Sequence, residues 1–224
     1  MPSSELVACV GSILIDGATL DHWMRIAWLS SGSLRRRPKL RALDEPALSF
    51  LIQAQWITGE AAALGISLSE AEVHAQFVKL RRQQFPHKHE FDVFLRSSGF
   101  TVSDLLLRVR VEMLPSRITQ HVLAGRHGKQ REHAMTEFVK RFKLAWVSRT
   151  YCAPALRIEI CGHSLPATWP HRRPRPRAAD QRTRRGRRAD AHVLRRLDHR
   201  CREHCNQQQR RHDHRWQALD QHAS

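Results

Sequence analysis

The sequence predicts a mainly helical body, residues 1–163, tied by a small β element, and a disordered C-terminal tail, residues 164–224. Three observations carry this reading. Between Asp44 and Val122, apolar residues recur at helical spacing, and start and stop signals separate the segments. Short apolar stretches rich in β-branched residues flank that helical region, near residues 6–15 and 156–161. Beyond His171 the chain has no Phe, Tyr, Ile, Met or Lys, one Val and three Leu, too little apolar surface to offset chain entropy.

Charge divides the chain at the same place. The whole sequence of 224 residues carries a formal net charge of +17. Residues 1–165 hold 22 Lys and Arg against 15 acids, whereas residues 166–224 hold 16 Arg, no Lys and six acids. A moderately basic folded body with a strongly basic appendage is expected. No apolar run reaches the roughly 20 residues of a membrane helix. The opening MPSSELVACVGSILIDG has neither a basic n-region nor a small-residue cleavage site, so it does not read as a signal peptide, and the residues alone lead to a cytoplasmic expectation.

The elements follow in order. Leu6–Ile15 is broken by Gly11-Ser12 and reads as two strands about a tight turn. Leu20–Leu29 is a helix, with Leu20, Trp23, Met24 and Ala27 at helical spacing. Ser30–Leu43 is polar, basic and interrupted by Pro38, so it reads as a surface loop. A helix begins at Asp44, with Pro46 in its first turn where the missing N–H costs nothing. Leu48, Leu51, Ile52, Gln55, Trp56 and Gly59 share one face, and Gly65 stops the helix. Ser69 and Glu72 then form a capping box, flanked by Leu68 and Val73 as a hydrophobic staple. Val73, Phe77 and Leu80 make the buried stripe of that helix, which Phe85-Pro86 ends.

A short helix over Glu90–Arg96 presents Phe91, Phe94 and Leu95 and stops before Gly99. Thr101 and Asp104 start a long helix through Leu105, Val109, Met113, Ile118 and Val122. Pro115 inside it predicts a kink or break near residues 112–115. Lys129–Val147 is the last helix, with Ala134, Phe138, Phe142, Ala145 and Trp146 as its stripe. Leu156–Cys161 alternates apolar and charged residues and reads as a half-buried strand that pairs with the first. In the tail, only Asp190–Arg202 has marginal helical character.

Catalytic signatures are missing from the sequence. No nucleophile elbow, phosphate loop or dinucleotide fingerprint occurs, so no catalytic residue and no cofactor is assigned. Glu70/Glu72 and Glu90/Asp92 are helix-start charges favoured by the dipole. In the tail, Cys201 and Cys205 with His199, His204, His212 and His214 have zinc-ligand chemistry. They lack regular finger spacing and an apolar mini-core, so no metal is assigned. The Arg run has three readings: weak polyanion binding, a solvated tail without a partner, or the product of a shifted reading frame in GC-rich DNA.

The order and spacing of the body motifs resemble a known family. The relevant residues are Glu60-Ala61, Gly65-Ile66, Ser69, Glu72-Val73, Phe91, Phe94-Leu95, Gly99, Thr101, Asp104-Leu105 and Val109-Arg110. Together they resemble the N-terminal chaperone domain of SurA- and PrsA-type foldases, over about residues 6–163. The resemblance implies a non-catalytic, extracytoplasmic module that holds unfolded or extended client polypeptides against apolar surface and assists folding of exported proteins. It also implies that some of Trp23, Trp56, Phe77, Phe138, Phe142 and Trp146 line a peptide groove, although periodicity alone reads all of them as core. A Cys152–Cys161 disulfide fits the same picture, if the two backbones come close enough. Many family members carry a parvulin module that isomerises X-Pro bonds. Here only Leu123–Arg131 occupies its place, so peptidyl-prolyl isomerase activity is the alternative rather than the main expectation.

Overall fold

A computed structural model describes residues 5–31 and 39–166, without the side chains of Leu40 and Arg41. The tail expected from residue 164 is therefore described only to residue 166; the 190–202 segment and the basic stretch 32–38 lie outside the described residues. The described chain is mainly helical with a small four-stranded sheet. The described residues divide into two compact units, one of residues 5–17 with 147–166 and one of residues 18–31 with 39–146.

The first unit holds the sheet, ordered β2-β1-β3-β4. Strands β1 (Leu6–Val10) and β2 (Ile13–Asp16) form the expected hairpin. Gly11 opens the turn at φ +57°, a conformation that glycine adopts without Cβ strain. Strand β3 (Thr150–Cys152) pairs antiparallel with β1, setting Ala8 opposite Cys152 and Val10 opposite Thr150. Strand β4 (His163–Ser164) lies parallel to β3. Val7, Ala8, Cys9 and Cys152 are fully buried, so this short sheet has little water on its central strands. The N-terminal and C-terminal strands of the body thus pair, as the sequence predicts, but through a different segment.

The expected strand over Leu156–Cys161 is not one. Pro154–Leu156 is a 3-10 turn and Ile158–Cys161 turns again, the Cys161 N–H donating to the Ile158 carbonyl at 3.0 Å. The reason is closure: Cys152 and Cys161 are disulfide-bonded with Cα atoms 5.8 Å apart, whereas six extended residues span roughly 17–20 Å. The alternation itself was informative. Leu156 and Cys161 are buried while Arg157 and Glu159 are exposed, so the pattern reports a half-buried segment without a ladder partner.

Among the described residues the second unit holds six α-helices, the first beginning directly after β2: α1 (Gly17–Ser30), α2 (Asp44–Ala63), α3 (Glu70–Gln84), α4 (Lys88–Ser98), α5 (Val102–Leu123) and α6 (Lys129–Val147). Their ends are chemically specified. Helix α2 closes in a Schellman motif, with Ile66 N–H donating to Ala61 O and Gly65 N–H to Ala62 O, Gly65 at φ +70°. Ser69 and Glu72 cap α3 reciprocally, and Thr101 and Asp104 do the same for α5. Helices α1 and α4 run longer than the sequence pattern indicated, by a turn or less at their ends.

Helix α5 packs against both α2 and α3. Val109 joins Val73, Phe77 and Phe91 in one buried cluster, and Leu114 and Ile118 join Ala61 in another. Arg110 pairs with Glu70, and Arg117 with Glu72 at 3.1 Å, so the start of α3 is also fastened to α5 electrostatically. Of the kink or break expected at Pro115, the break does not occur. The helix runs continuously through it, and the proline is exposed, so the carbonyl it leaves without a partner is near solvent.

Candidate functional site

Helix α6 carries the least consolidated apolar stripe in the second unit. Trp146 alone is buried along it, while Ala134, Phe138, Phe142 and Ala145 are half-buried and Leu144 is exposed. Its C-terminal end is firmly seated on α2. The Trp146 ring occupies the space where Gly59 lacks a side chain: a Cβ there would sit 2.0 Å from Cη2. Trp146 Nε1 donates to Glu60 Oε2 at 2.7 Å. Phe142 meets Trp56 edge-on at 6.0 Å and stacks on Phe138 at 5.9 Å.

Toward its N-terminal half, α6 leaves a cavity of about 550 Å³ against the C-terminal ends of α2 and α5. Leu64, Val122, Ala134 and Phe138 supply its apolar lining. Arg126, Arg141, His121 and His133 supply basic groups, and Glu137 is the acid among the lining residues. That acid is already engaged. Lys140 hydrogen-bonds it at 3.0 Å and, with His133 and Arg141 nearby, holds its carboxyl below the ordinary glutamate range. Arg126 donates to the Val122 carbonyl, placing a cation at the C-terminus of α5. The cavity therefore combines apolar surface with an excess of positive charge. It suits an apolar group that carries a negative charge.

A second, smaller space of about 210 Å³ lies among α3, α4 and α5. Phe77, Phe85, Phe91, Phe94 and Phe100 line it, with Arg81 and Arg108 beside the rings.

The predicted groove residues fall into two groups. Trp23, Trp56, Phe77 and Trp146 are buried, whereas Phe138 and Phe142 are half-buried. Phe138 lines the larger cavity and Phe77 the smaller one. Trp23 instead packs on Phe50 at 4.5 Å and on Phe100 at 6.1 Å. Sequence reasoning missed Leu64, Val122, Arg126, His133 and Arg141. Leu64, Val122 and Arg126 end or follow a helix, whereas His133 and Arg141 lie within α6, and only the folded chain brings the ends of α2 and α5 to that helix. Among the described residues no cluster of three metal-ligating side chains occurs, and the Cys and His residues of the tail lie outside them.

Comparison with protein families, with curated proteins and with solved structures finds no match.

Proposed function

We propose that the chain is a non-catalytic holding module for unfolded or extended polypeptides, of the kind that the N-terminal domains of SurA- and PrsA-type foldases represent. The supporting observation is the α2–α5–α6 cavity, with half-buried Phe138 beside Arg126 and Arg141. Such a cavity takes apolar side chains of an extended segment and favours acidic ones, as basic lining demands. The capped helices from Ser69 and Thr101 support the family reading, because their spacing is the part of the sequence that resembles it. The Cys152–Cys161 bridge suits an oxidising compartment, which the proposed role in folding exported proteins requires. Where that family carries its isomerase module, this chain passes from α5 to α6 through the short segment Ala124–Gly128.

Fluorescence anisotropy with labelled extended peptides tests the proposal. An acidic, apolar peptide is expected to bind the full chain more tightly than a basic one of equal hydropathy, and added salt should narrow the difference. Equal affinity for both peptides, or none for either, would overturn it. A proline-limited refolding assay separates holding from isomerase activity, since a holder does not accelerate the slow phase catalytically.

A further inference from the structure

We propose that the aromatic slot among α3, α4 and α5 is a second ligand site, distinct from the peptide cavity, for a compact apolar body that carries a carboxylate. Its walls are ring faces. Phe85 lies 4.9 Å from Phe94 and 5.6 Å from Phe91, and Phe94 stacks on Phe100 at 5.9 Å. Phe91 and Phe100 are buried, whereas Phe85 and Phe94 are half-buried and leave ring surface uncovered. The space of about 210 Å³ exceeds the ~150 Å³ in which an apolar cavity holds a benzene ring. One ring with a short chain is therefore the right size.

The charge on the slot selects the rest of the ligand. Arg81 stands over Phe91 with its Cζ 5.8 Å from the ring centre, and Arg108 over Phe100 at 5.6 Å. Glu112 also lines the slot and approaches Arg108 at 4.0 Å, while Arg81 has no acidic partner among the described residues, so the lining keeps one positive charge in excess. Arg81 Nε is enclosed and makes no hydrogen bond, so part of this cation has already left water. A guanidinium whose Nε has left water and that forms no ion pair, beside uncovered ring faces, attracts an anion attached to an apolar group. The same chemistry occurs in a free aryl carboxylate and in the C-terminal aromatic residue of a polypeptide.

NMR titration of the full chain with 3-phenylpropionate, 3-phenylpropanol, and a short peptide ending in Phe as acid or amide tests the assignment. Phenylpropionate is expected to shift resonances of Phe85, Phe94 and Leu105, and to bind about tenfold more tightly than the alcohol. Arg81→Gln should bring the acid down to the affinity of the alcohol while leaving the alcohol unchanged. Leu105→Trp, which fills the slot, should remove both. Binding of the free-acid peptide but not its amide identifies a chain terminus as the source of the ligand. Binding of phenylpropionate without either peptide identifies a small molecule, and both outcomes support the site. Equal affinity of acid and alcohol, indifference to Arg81→Gln, shifts confined to residues outside the slot, or no binding by any probe would overturn it.

Discussion

Asp104 shows how much one side chain does in the second unit. Its Oδ2 accepts from the Thr101 hydroxyl at 2.6 Å, from the Thr101 N–H at 2.7 Å, and meets His22 Nε2 at 2.9 Å. Burial alone would push its pKa up, but the Thr101 hydrogen bonds and His22 outweigh that and hold it below the ordinary aspartate value. A carboxylate with a depressed folded pKa stabilises above its unfolded pKa, about 4, and loses that contribution as pH falls through the folded value. Asp104→Ala should therefore cost about 1–2 kcal/mol at neutral pH in urea denaturation, and the difference from the parent should shrink as pH falls below about 4. The cap itself was readable as a Thr-x-x-Asp pattern. The bond to His22, 82 residues away in sequence, left no local signal. Gly59 is similar: its place on the apolar face of α2 was legible, while the Trp146 ring filling its vacant Cβ position was not. Gly59→Ala gains helix propensity of up to ~1 kcal/mol but must displace that ring, so a net loss of about 1–2 kcal/mol is expected in the same assay.

At the level of elements, legibility followed chemistry that is complete within a few residues. The capping boxes of α3 and α5 and the Gly65 stop of α2 are local hydrogen-bond patterns, and each appears where the sequence placed it. Two expectations were limited because the deciding partner was elsewhere. The Leu156–Cys161 alternation marked burial correctly, but the bridge to Cys152 folds that segment into turns. Pro115 was expected to kink or break α5; the helix is not broken, and the clusters around Val109 and around Leu114 and Ile118 hold it together on both sides of the proline. The proline remains a cost carried by the packing. Pro115→Ala should restore one ladder bond at an exposed position and stabilise by about 1 kcal/mol, the helix gain offset in part by a freer unfolded chain. Thermal unfolding measures this directly.

On the scale of the whole molecule, the split into a helical body and a compositionally different tail was evident, although the tail from residue 167 lies outside the described residues. In the first unit, the Cys152–Cys161 bridge closes a short loop beside the β1–β3 pairing. Replacing both cysteines with alanine should cost about 2–3 kcal/mol, read as lost hydrogen-exchange protection at the Ala153 amide that bonds Val7 O. In the second unit, the cavity could not be read from the sequence, since Leu64, Val122 and Phe138 belong to three different helices or their ends. Its basic lining is what connects the geometry to the proposed holding role. The most direct measurement is suppression of aggregation of an acidic client protein, unfolded by reduction, with the parent chain and with an Arg126→Glu/Arg141→Glu variant. Stoichiometric parent chain should suppress aggregation and the variant, folded by circular dichroism, should lose most of that effect. No suppression by the parent, or undiminished suppression by the variant, would contradict a holding function at this cavity.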